Sequence, residues 1–142
     1  MSGETDLARL LAEMKPILQE GEYVYCTVQG YVAPWLALEP LGTFREAEGL
    51  TLILERSRAD AAGLSYGPVL RLITLSVHSA LEAVGLTAAV SAAVTRDGIS
   101  ANVVAAYYHD HIFVPAADGE RAVEALRGLT GTMSRPGLCP SP

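Results

Sequence analysis

"LTAAVSAAVTRDGISANVVAAYYHDHIFV", residues 86 to 114, is the stretch whose reading decides the fold. Leu86, Ala89, Val90, Ala93 and Val94 recur at three- and four-residue spacing, which lines one face of a helix. Asp97-Gly98 ends it, because glycine enters the left-handed conformation that closes a helix at little cost. The β-branched run that follows predicts a strand over 99–108, a turn at His109-Asp110-His111, and a second strand over Ile112–Val114.

Upstream, Ile73, Leu75 and Val77 alternate with Thr74 and Ser76, which predicts a strand with one buried face. A loop over 78–85 joins it to the helix. Downstream, Asp118 is placed to cap a last helix with Ala122, Val123, Leu126 and Leu129 on its buried stripe. The tail from Thr132 to Pro142 holds three of the eight prolines and is expected to fray.

The N-terminal part reads in similar units. Leu7, Leu10, Leu11 and Met14 form a helical stripe behind a Thr5 cap, ended by Pro16. Strands are expected over 22–28, 42–46 and 50–54, the last two joined around Glu48-Gly49. Ser57 and Asp60 have capping-box spacing for a short helix that Gly63 terminates. "LTLILERSRADAAGL" (50–64) and "HIFVPAADGERAVEAL" (111–126) share an apolar strand, a polar break and an alanine-rich helix, a weak internal repeat that points to duplication.

Composition narrows the function. Sixteen acidic against ten basic residues give a formal charge of −6, which repels rather than gathers a phosphate backbone, so no nucleic-acid partner is expected. No apolar run reaches the roughly 20 residues of a membrane helix, and the acidic, amphipathic N-terminus does not read as a signal peptide. A cytoplasmic protein is expected. Cys26, in an apolar strand, reads as a core residue, and Cys139 makes no metal-like spacing with it.

Residues 84–126 resemble the ACT domain, through Gly85 at the mouth of the helix, the alanine-rich helix, the Asp97-Gly98-Ile99 exit, Asn102 on the next strand, and the final strand and helix. With "EYVYCTV", "TFREAEGLTLIL" and "ITLSVHSALEAVGL", the chain is similar to small stand-alone bacterial proteins with two ACT-like halves, related to the aspartokinase regulatory region. The resemblance implies an α/β (α+β, ferredoxin-like) fold of tandem βαββαβ halves, antiparallel sheets with helices on one face. The halves are expected at 1–65, with a loop in place of the first crossover helix, and 66–131, followed by a Pro-rich tail over 132–142.

It also implies a non-catalytic regulatory module that binds a small molecule, an amino acid, and works without a cofactor as a homodimer or through a protein partner. The expected ligand-binding residues are His78, Ser79, Glu82, Val84, Gly85, Leu86, Thr87 and Asn102. A helix start offers unpaired N–H groups to a carboxylate, and the Asn102 amide can both donate and accept. Trp35 is either a wall of that site, a dimer contact, or filling for a loop-covered core.

Other chemistry has weaker support. His109 and His111, at i and i+2, could share a strand face as metal ligands with His78 as a third, but the spacing matches no zinc signature. Tyr107 and Tyr108, read on a strand, would point to opposite faces. No GxGxxG or phosphate loop is present. The alternatives to a sensor are a structural module without ligand and a metal-dependent enzyme using His109 and His111.

Overall fold

The computed structural model describes residues 8–9, 11–76 and 85–134. The strands are β1 (Lys15–Leu18), β2 (Tyr23–Val28), β3 (Gly42–Glu46), β4 (Gly49–Glu55), β5 (Leu70–Ser76), β6 (Asn102–Ala105) and β7 (Asp110–Pro115). The α-helices are α1 (Arg56–Ala61), α2 (Leu86–Arg96) and α3 (Gly119–Ser134). Contacts divide the chain into an inserted unit, Glu20–Arg71, and a split unit made of the segment up to Gln19 and the chain from Leu72 onward.

In the inserted unit, β2 pairs antiparallel with β4 from Tyr23 opposite Glu55 to Val28 opposite Leu50, and β3 pairs with the other side of β4. Leu70 meets Tyr23 as the chain leaves. Val24, Cys26 and Val28 alternate inward against Leu50, Leu52 and Leu54, and Ala59 of α1 seals the cluster. The loop after β2 carries a 3-10 helix, Ala33–Leu38, with Pro34 in its first turn, where a missing N–H costs nothing. Trp35 and Leu38 from this segment are partly buried and pack on the inserted unit's core.

The expected Ser57–Asp60 capping box is not made. Helix α1 begins one residue earlier, behind Glu55, with no side-chain cap. The Arg56 N–H donates to the Glu22 carbonyl at 2.9 Å, and the Asp60 carboxylate accepts from the Tyr66 hydroxyl at 2.7 Å instead.

In the split unit the strand order is β1-β5-β7-β6. β6 pairs antiparallel with β7, from Asn102 opposite Phe113 to Ala105 opposite Asp110. Ile73 and Leu75 of β5 and Ile112 and Val114 of β7 face α2 and α3, packing on Leu86, Val90, Ala93, Val94, Ala122, Val123 and Leu126. Helix α2 ends as its residues predict: Gly98 has φ 73°, and the Ile99 N–H reaches back to the Val94 carbonyl at 3.0 Å. Both units are ferredoxin-like α+β modules, antiparallel sheets with their helices on one face.

Two differences from the sequence reading matter. Lys15–Leu18 is a strand: its four residues pair antiparallel with Ser76–Ile73, and Leu11 and Met14 just before it lie in the split unit's core. The N-terminal segment therefore groups with the chain from Leu72 onward rather than with residues 20–65. The second difference is the hairpin tip. β6 stops at Ala105, the Ala106 N–H donates to the His109 carbonyl at 3.0 Å, and Tyr107-Tyr108 form the turn. Both tyrosines are exposed and stack edge-to-face with ring centres 4.9 Å apart, while Asp110 and His111 already belong to β7.

Because Met14 is 1% exposed in the split unit's core, Met14→Ala should cost about 2–5 kcal/mol in denaturant unfolding. The accompanying loss of amide protection should appear in β5 and β7, and not in β2 and β4.

Candidate ligand-binding site

Helix α2 opens on Gly85, which takes the left-handed conformation at φ 95° and has no side-chain cap. Its carbonyl accepts the first helical bond, from the Ala89 N–H at 2.9 Å. The N–H groups of the first turn point along the helix axis and carry its positive end, and the first turn itself holds no acidic residue. Leu86 is buried in the core, so only its backbone can face a ligand, whereas Thr87 is exposed and offers a hydroxyl. His78, Ser79, Glu82 and Val84 lie outside the described residues.

Asn102 is held apart from this cluster within one chain. It sits on β6 opposite Phe113, near the end of β7. The Arg121 guanidinium, in the first turn of α3 that follows β7, donates to the Asp97 carbonyl at 2.7 Å, so the C-terminal end of α2 lies at Asn102's end of the sheet. Eleven residues of helix put Leu86 roughly 16 Å farther along. Asn102 also shares its sheet face with His111, away from the helices.

That second face holds a hydrogen-bonded chain no motif announced. The Gln19 side-chain amide donates to Thr74 Oγ1 at 3.1 Å, and Thr74 Oγ1 stands 3.0 Å from His111 Nδ1. Thr74 is only 7% exposed. Burial, then the neighbouring His109, push the His111 imidazole below its ordinary pKa, against an opposing pull from Asp110. Among the described residues no group of three His, Cys, Asp or Glu side chains is arranged to hold a metal ion, and the third ligand considered with His109 and His111, His78, is outside them.

A cleft of about 380 Å³ in the inserted unit is lined by Gly21, Glu22, Glu55, Arg56, Ser57 and Asp60. Its one guanidinium is engaged: Arg56 bonds the Tyr66 hydroxyl at 3.0 Å and the Glu22 carboxylate at 2.9 Å, and both raise its pKa. Arg58 next to it pairs with Glu55 at 3.0 Å. This is a solvated ion-pair cluster that fastens α1. Cys26 is buried in the inserted unit's core, and burial pushes its thiol pKa up, away from the reactive thiolate.

Two family models, each described as an ACT domain, match residues 2–71 and 69–128 in tandem. A Vibrio cholerae protein of known structure, described as of unknown function and a possible transport protein, is 52% identical over 91% of this chain and 99% of its own, with a TM-score of 0.83. The chain belongs to the ACT-domain family.

More distant structures share the fold of this ACT protein. An Agrobacterium tumefaciens protein is 18% identical over 82% of this chain and 89% of its own, with a TM-score of 0.69. The regulatory subunit of aspartate kinase from Thermus flavus is 12% identical over 82% of this chain and 95% of its own, with a TM-score of 0.60. No protein with a curated description matches. No helix among the described residues is long and apolar enough to cross a membrane.

Gly85 leads into α2 in the left-handed conformation. Replacing it with alanine forces a side chain into left-handed backbone, so Gly85→Ala should lower stability by about 1 kcal/mol, seen as a lower Tm by calorimetry.

Proposed function

We propose that this ACT protein is a non-catalytic regulatory module that binds a small molecule, an amino acid, and passes the signal through its oligomeric state or a protein partner. The observation that carries the reading is the tandem ACT match over residues 2–71 and 69–128, together with the shared fold of an aspartate kinase regulatory subunit. The site we assign is the start of α2: the N–H groups following Gly85 receive the carboxylate and Thr87 adds a hydroxyl, with His78, Ser79, Glu82 and Val84, which precede them in sequence, as the further candidates. Asn102 sits on β6, at the end of the split unit's strand order, and would reach such a ligand from a second subunit.

A homodimer suits the surface. The sheet faces away from the helices expose Ile17 and Val104 in the split unit, and Phe44 beside Thr51 and Ile53 in the inserted unit. Such apolar surface is what association buries. Light scattering should accordingly give twice the 15.0 kDa chain mass.

The test is thermal stability against each of the twenty amino acids at millimolar concentration. A ligand at about 100 times its Kd stabilises by about 2.7 kcal/mol, and the shift should vanish in Ser79→Ala and Asn102→Ala. A flat panel would return the chain to a purely structural role. A response to zinc alone, lost in His109→Ala and His111→Ala, would make the histidines the site.

A further inference from the structure

Thr74 Oγ1 has one proton and sits between two nitrogens, Gln19 Nε2 at 3.1 Å and His111 Nδ1 at 3.0 Å. The amide nitrogen can only donate, so the threonine oxygen accepts from Gln19, and when His111 Nδ1 carries no proton the Thr74 hydroxyl donates to it. That requires a neutral imidazole with its proton on Nε2. The polarity of the chain is then Gln19 to Thr74 to His111, joining the residue after β1 to β5 and β7.

We propose that this chain is a pH-sensitive latch on β1, in which protonation of His111 at Nδ1 reverses the direction of the hydrogen bonds and loosens the Gln19 end of the strand. With a proton on Nδ1, His111 donates to Thr74 Oγ1. The nearly buried Thr74 hydroxyl then has a second donor aimed at its oxygen and loses its acceptor. It regains one only if the Gln19 amide turns over to present Oε1, which takes the Nε2 donor away from Thr74. Gln19 is also tied by its backbone, whose N–H donates to the Leu72 carbonyl at 2.8 Å, so a reorientation there acts on the end of β1.

The surroundings favour the neutral form. From β7, His109 opposes protonation and Asp110 favours it, with burial the largest influence. β6 places Val104 opposite His111 and Asn102 two residues away, neither of them ionisable. From β1, Ile17 stands opposite Thr74 and Lys15 opposite Ser76 on the same face, adding a positive charge on that side. The helices pack on the other face. With the native pKa below that of the unfolded chain, the latch contributes fully above about pH 6.5 and is lost as pH falls from there through the native pKa.

The experiment is NMR on the intact protein from pH 8 to 5. Nitrogen shifts of His111 report its tautomer, and amide exchange, corrected for intrinsic rates, reports β1. The expected result is an unprotonated Nδ1 at pH 8 and a His111 midpoint below about 6.5. Gln19 and Leu18 should lose protection by about tenfold across that midpoint, while Cys26 and Leu52 of the inserted unit stay unchanged. Thr74→Val should abolish the pH dependence at Gln19, and Thr74→Ser should keep it. Gln19→Ala, at a half-exposed position, gives the same reading should the valine variant not fold. A midpoint at or above 6.5, a proton on Nδ1 at pH 8, or an equal loss of protection in Thr74→Val would overturn the proposal. None of these readouts depends on the amino-acid site.

Discussion

The split unit rests on the pairing of β1 with β5. A βαββαβ sheet needs a fourth strand beside its first, or the N–H and C=O groups along that side of β5 go unpaired. Residues 135–142 are poorly suited to supply it, since three of them are prolines, each without an N–H to donate. Lys15–Leu18 does so instead, in register with Ser76–Ile73, and brings Leu11 and Met14 into the core with it. Completing this unit therefore joins residues more than fifty positions apart, with the whole of Glu20–Arg71 between them. Closing so long a loop has an entropic cost that local pairing in the inserted unit, where β3 and β4 are adjacent in sequence, does not meet.

Much of this architecture was legible in the residues. The alternation of Ile73 and Leu75, the stripe Leu86-Val90-Ala93-Val94 and the Gly98 exit each express one backbone period or one conformational demand, and each is observed. β1 was not legible, because four residues carrying a proline resemble a helix terminator. Proline is compatible with a strand that pairs on one side, and only the partner 55 to 61 residues away reveals that use. The hairpin tip was misplaced for a related reason. Tyr107 and Tyr108 have high strand propensity, but the bond from Ala106 N–H to the His109 carbonyl closes the turn around them, and propensity yields to register.

Of the candidate site, the helix start was legible. Gly85, Leu86 and Thr87 are contiguous, so a helix start could be recognised from sequence alone. Asn102 lies sixteen residues farther on, and its placement depends on the direction of β6 relative to α2, a property of topology. The Gln19–Thr74–His111 chain was invisible for the same reason: three ordinary polar residues, one just past β1 and the others on β5 and β7, acquire a shared chemistry only when β5 lies between the other two strands.

That placement gives β5 a double role. One face carries Ile73 and Leu75 into the helix-side core, and the other carries Thr74 in the hydrogen-bond chain. The strand ends at Ser76, and the segment that follows leads directly to the start of α2. Under the proposed function, a ligand held at that start would be linked to the order of β5, and the order of β5 includes its pairing with β1. If both proposals hold, the ligand and the neutral imidazole would favour the same state, and a proton on His111 would oppose both.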